Sequence, residues 1–153
     1  MAFEDLTEIP EIVIGIFITK PTPFLEEFFQ KVALLDYDKA KITLFIYNNA
    51  EFHVNHVEAF LKAEKDKYKS VVVSTPKDHL KEWHARNKGL TMCQEVKCDF
   101  YFSIDSEAHI DNDQTLKLLI EQNRNVIAPL LIRPYKAWSN FWGALTSEGY
   151  YAR

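Results

Sequence analysis

Apolar residues in this chain fall in short unbroken runs, separated by stretches where they recur every third or fourth position. Glu11–Thr19 (EIVIGIFIT) and Lys41–Tyr47 (KITLFIY) are β-branched and aromatic runs suited to buried strands, and each ends in polar or proline-bearing sequence. Ser70–Ser74 is a shorter run stopped by Pro76, Phe100–Ile104 (FYFSI) a fourth, and Val126–Arg133 (VIAPLLIR) a fifth. Between them lie helical spacings. Phe24–Leu35 has apolar residues at 24, 25, 28, 29, 32 and 35, His53–Lys67 places Val54, Val57, Phe60 and Leu61 on one face, and Leu80–Gln94 and Gln114–Asn123 follow. The central strands are expected at Ile12–Ile18, Ile42–Tyr47, Val71–Ser74, Phe100–Ile104 and Val126–Leu131. Strands alternating with helices predict an α/β, Rossmann-like three-layer fold with a mostly parallel sheet. No repeat, low-complexity stretch or linker divides the 153 residues, so one domain, 1–153, is expected.

Composition narrows the function classes. Apolar residues make up 47% and aromatics 14%, ample for one core, and the net charge of −4 lacks the basic stripe of a nucleic-acid reader. No run approaches the roughly 20 apolar residues that span a bilayer. The acidic start Met1–Asp5 lacks the basic and apolar zones of a secretory leader, which taken alone points to the cytosol. The four glycines form neither a GxGxxG fingerprint nor a phosphate loop.

In open parallel sheets, ligands sit beyond the carboxyl ends of the strands. There, Asp105 and Glu107 flank Ser106 just past the fourth apolar run. In extended chain, residues two apart point to one side, so both carboxylates could face a hard divalent ion that neutralises a departing diphosphate. The plain alternative is a capping Asp105 and a solvated Glu107. Upstream, Arg86–Asn87 opens a helix that runs directly into this strand. Arg-Asn before a helix, then an apolar strand ending in Asp-x-acid, resembles the GT-A class of nucleotide-sugar transferases. That resemblance implies Asp105 and Glu107 as metal ligands for manganese with a uridine-diphosphate sugar, and Arg86 and Asn87 as part of the nucleotide pocket.

Almost the whole chain also resembles the procollagen lysyl hydroxylases. The residues that carry this are Pro21–Leu25, Leu44–Asn49, Ala85–Cys93, Cys98–Asp105, Leu118–Arg124, Val126–Pro129, Trp138–Leu145 and Gly149–Arg153. The segment is similar to that family's second, GT-A-like domain, regarded as accessory to an N-terminal transferase domain. The resemblance implies collagen or procollagen chains and neighbouring domains as partners, the endoplasmic reticulum lumen as location, and a GT-A fold left incomplete at the C-terminus. Iron and 2-oxoglutarate chemistry would lie in a parent domain outside this chain. Asn140 and Trp142, in the aromatic tail, join the donor-site candidates. Two departures stand out. The family's usual Asp-Ala-Asp is here Asp105–Ser106–Glu107, and its Arg-His-Gly-Lys-Leu-Trp is Arg133–Pro134–Tyr135–Lys136–Ala137–Trp138. The longer Glu107 places its carboxylate one methylene farther out.

Cys93 and Cys98 could bridge in an oxidising lumen or stay buried thiols, and the resemblance favours the bridge. His109–Ile110–Asp111 matches half of a non-heme iron triad, but no histidine follows, and we read it as coincidence. His53 and His56, at the polar start of a helix, are expected to be solvated. Three functions remain in view: a non-catalytic GT-A-like module, an active metal-dependent transferase acting on collagen hydroxylysine, and a flavodoxin-like binding domain with no enzyme role.

Overall fold

The structure is a computed structural model that describes residues 2–133, 135–136, 139–141 and 147–148. It divides into two compact units, Met1–Asn123 and Arg124–Arg153.

In the first unit, four strands, β1 (Ile12–Ile18), β2 (Ile42–Asn48), β3 (Ser70–Ser74) and β4 (Phe100–Asp105), form a sheet in the order β3-β2-β1-β4. Every pairing is parallel. β1 and β2 are central and buried along their whole length, which is why their sequences are continuous apolar runs rather than alternating ones. The helices are α1 (Leu25–Ala33), α2 (Val54–Glu64), α3 (Glu82–Val96) and α4 (Thr115–Glu121). The order 3-2-1-4 is that of a Rossmann half and differs from the 2-1-3 order of flavodoxin.

Alternation along the strands sorts the core into two layers. Ile12, Ile14, Ile16 and Ile18 of β1 and Ile42, Leu44 and Ile46 of β2 pack with Phe28 and Phe29 of α1, Val57 and Phe60 of α2, and Leu116 of α4. Phe17, Phe45 and Tyr47 face the other way, onto Ala85 of α3. Helix α3 comes close to the sheet because two glycines permit it. A Cβ built at Gly15 or at Gly89 would meet the Tyr101 hydroxyl at less than 3 Å, so the phenol fills a slot that only glycine leaves open on both sides. Cys93 and Cys98, joined as a disulfide with Cα atoms 5.1 Å apart, tie the end of α3 to the start of β4. Closing so short a loop stabilises by about 2 kcal/mol.

In the second unit, the expected strand Val126–Leu131 does not form. Ile132 makes one antiparallel bridge to Ser139, and Val126 is 90% exposed. Pro129 removes a ladder donor from the middle of the run, and an apolar run becomes a strand only when an edge pairs with it.

Candidate functional site

The carboxyl ends of β1 and β4 meet where the strand order reverses, because β1 leads by α1 to β2 while α3, on the opposite face, leads to β4. Phe17 and Asp105 are register partners across the two strands, so their side chains share the α3 face. Arg86, on the first turns of α3, covers both. Its Nη2 donates to Asp105 Oδ1 at 2.7 Å, and its guanidinium carbon stands 4.5 Å from the centre of the buried Phe17 ring. Glu82, one turn earlier on the helix, accepts from Arg86 Nε and Nη2 at 3.0 and 2.9 Å. Partial burial works against the guanidinium charge, but the bonds to Asp105 and Glu82 outweigh it and the Arg86 pKa is raised.

Asp105 ends its strand. Ala108 N–H donates to the Asp105 carbonyl at 2.9 Å, closing a turn over Ser106 and Glu107. The two-residue alternation that would aim Asp105 and Glu107 at one ion therefore stops at the first of them. Glu107 Oε1 lies instead 3.2 Å from Lys20 Nζ, on the loop after β1. Among the described residues no group of three or more His, Cys, Asp or Glu side chains is placed to hold a metal ion. Each acid of the pair has its own cation, so as placed the two do not form a shared ion site.

Sequence reasoning missed what holds this edge together. Ser106 is only 1% exposed; its N–H donates to the Phe17 carbonyl, and its hydroxyl pairs with Thr22 Oγ1 at 2.9 Å. Thr22 N–H donates to His53 Nε2 at 2.7 Å. His53, expected to be solvated, is 1% exposed, since the 3-10 turn Glu51–His53 rolls it inward before α2 begins. Burial, then the neighbouring His56 ring, push its pKa down. A ring nitrogen that accepts an amide proton has no room for its own, which also favours neutral imidazole. The three loops after β1, β2 and β4 are thus joined by one buried chain, Ser106–Thr22–His53. A polar residue between two acids, and a histidine three residues after Ala50, were the only signals available.

The other candidates fall apart from this centre. Asn87 is exposed on α3, one helical position and about 100° round from Arg86. Asn140 lies in the second unit, where its backbone N–H donates to the Leu131 carbonyl at 2.9 Å and its side-chain Oδ1 accepts from Leu131 N–H at 2.8 Å. Trp142 lies outside the described residues. Asp111 pairs with Lys31 at 2.6 Å, and His109 packs edge-on against Phe28 within 3.7 Å of Glu27, so the His-x-Asp motif is divided between two structural contacts.

The parallel sheet, its strand order and the helices on its two faces define a Rossmann-like fold of GT-A type. The family model described as "Glycosyltransferase family 25, N-terminal domain" matches residues 74–153, about half of the chain, and the chain belongs to that family. Among the relatives it matches are procollagen lysyl hydroxylases. It is 48% identical over 146 residues to procollagen-lysine,2-oxoglutarate 5-dioxygenase 1 of Gallus gallus, covering 95% of this chain and 20% of the relative. It is 44% identical over 145 residues to the human multifunctional procollagen lysine hydroxylase and glycosyltransferase LH3, covering 94% of this chain and 20% of the relative. The chain thus spans about a fifth of the length of these relatives. A mannosyltransferase from Pyrobaculum calidifontis, solved in complex with GDP-Man and Mn2+, shares the fold with a TM-score of 0.58 at 17% identity, over 75% of this chain and 32% of that one. No helix of the described residues is long and apolar enough to cross a membrane.

Proposed function

We propose that this chain is the accessory GT-A-like module of a procollagen lysyl hydroxylase, supporting hydroxylation and glycosylation of collagen lysines in the endoplasmic reticulum lumen without transferring sugar itself. The observation that carries this is the division of the acid pair: Asp105 is held by Arg86 and Glu107 by Lys20, on different elements. As they stand, neither acid is free to take up an ion together with a donor's diphosphate oxygens. Here the turn after Asp105 separates them. The module's contribution is then its rigid sheet and its surfaces toward collagen chains and toward neighbouring domains. Iron and 2-oxoglutarate belong to a domain outside this chain.

The test is thermal unfolding of the chain with Mn2+ and a uridine-diphosphate sugar, repeated on Asp105→Ala. A ligand that binds the folded state raises stability by RT ln(1 + [L]/Kd), about 2.7 kcal/mol at a hundredfold excess over Kd. The expected result is no shift for either protein. A clear shift that Asp105→Ala abolishes would overturn the accessory reading and establish the alternative, an active metal-dependent transferase acting on collagen hydroxylysine.

A further inference from the structure

On the α1/α2 side of the sheet, away from Arg86, a cleft of about 550 Å³ opens between the start of α1 and the turn before α2. Its size suits a small ligand. Two phenylalanines that should be buried line it: Phe24 is 73% exposed and Phe52 71%. Phe24 is also held at φ 59°, ψ 32°, the left-handed region that a bulky L residue avoids. Strain kept at a residue whose ring projects into a cleft marks a ligand site more than a packing site.

The polar lining is ordered by the buried chain already described. Because Thr22 N–H donates to His53 Nε2, the His53 proton sits on Nδ1, which is 3.4 Å from His56 Nδ1. His56 then accepts at Nδ1 and keeps its own proton on Nε2. The lining therefore combines an N–H donor from His56, a carboxylate acceptor from Glu26, the two-way amide of Gln30, and the faces of Phe24 and Phe52. Among the described residues no Lys or Arg lines the cleft, so phosphate-bearing ligands are disfavoured. Glu27, the second acid there, is already neutralised by Lys31 at 2.8 Å, which weakens the pull on a cationic side chain.

A neutral ligand with an apolar C–H face and a rim of hydroxyls fits all of these groups. We propose that this cleft is a pyranoside-binding site, in which Phe24 and Phe52 cover the C–H face of one sugar ring while Glu26, Gln30 and His56 bind its hydroxyls. The negative face of an aromatic ring attracts polarised C–H bonds, and both rings lose contact with water. The site does not depend on the Asp105 region binding a nucleotide.

The experiment is a titration of the chain with methyl β-D-galactopyranoside, followed by amide chemical shifts. The expected result is saturable shifts around Phe24, Gln30 and Phe52, with a Kd on the order of millimolar, the range for a ligand of about a dozen non-hydrogen atoms. Phe52→Ala should weaken binding at least tenfold at an unchanged melting temperature. Phe24→Gly should abolish binding while raising the melting temperature, because glycine relieves the left-handed strain. Absence of saturable shifts up to about 50 mM would overturn the proposal, as would undiminished binding by Phe52→Ala. Tighter binding of Nα-acetyl-lysine amide or of uridine diphosphate at the same residues would also overturn it, identifying a cation or a nucleotide site.

Discussion

Replacing Gly89 by alanine sets two effects of known size against each other. In a helix interior, alanine is favoured over glycine by about 0.8–1 kcal/mol. The new methyl, however, would meet the Tyr101 hydroxyl at less than 3 Å, with the ring carbon Cζ at 3.1 Å and Cε2 at 3.3 Å. Tyr101 cannot retreat towards β1, because Gly15 receives the same hydroxyl from the other side. Overpacking of this kind costs about 1–3 kcal/mol, so the expected net change is a loss of about 1 kcal/mol despite the gain in helix propensity. The assay is urea unfolding in a double-mutant cycle with Tyr101→Phe. Tyr101→Phe removes the closest contact but leaves the ring carbons, so Gly89→Ala in that background should be near neutral, with a coupling of about 1 kcal/mol. A Gly89→Ala variant that gains its full helix propensity in the Tyr101 background, or a cycle with no coupling, would refute the close approach of α3 to the sheet. It would also undercut the account of Arg86, which lies three residues before Gly89 on the same helix.

Two other outcomes follow from burial and backbone. Phe28, fully buried on α1 with Phe29 at a ring separation of 5.6 Å, should cost about 3–5 kcal/mol as Phe28→Ala, read by urea unfolding, whereas Phe24→Gly on the exposed turn before it should stabilise by about 1 kcal/mol. His53 is held below its ordinary pKa by burial and by His56, so the unfolded chain binds its proton more readily. That stability is fully present above about pH 6.5 and is lost as pH falls. Melting temperatures between pH 7 and 5 should fall more steeply for the parent than for His53→Gln, in which Glu26 and Glu27 are unchanged; parallel slopes would refute it.

The strands were legible wherever the whole element is buried. Ile12–Ile18 appears with the expected bounds and β2, β3 and β4 each run one residue longer, because a continuous β-branched run flanked by Pro or Asn has few other uses. Helix ends moved by up to two or three residues where 3-10 turns cap them, as at Glu51–His53 and Lys65–Lys67. Val126–Leu131 shows the limit of the same logic, since it is a similarly apolar run yet Pro129 and the pairing available decide the outcome. At the site, the residue types at 86 and 105 could be read, but their contact required knowing that Phe17 and Asp105 are register partners. The left-handed Phe24 and the buried His53 could not be read at all. Both depend on how one loop fits another, and local propensity at either position favours an ordinary exposed residue.

The two ion pairs at the sheet edge do not weigh equally in the functional reading. Arg86–Asp105 is a partly exposed pair, worth about 0–1 kcal/mol, and a diphosphate could draw Arg86 away at little cost. By itself, then, it would describe a resting donor site as well as a closed one. What separates the two is backbone conformation: Asp105 ends β4, and the turn closed by Ala108 N–H sends Glu107 towards Lys20. Ser106 is buried beneath that turn and bonded to Thr22, so straightening the chain to realign the acids would break two hydrogen bonds and bare two polar groups. Each such group left unpaired costs about 1–3 kcal/mol, more than the Arg86 pair returns. The division of the acid pair that carries the accessory reading is therefore held in place by Ser106 and its partners rather than by the ion pairs themselves.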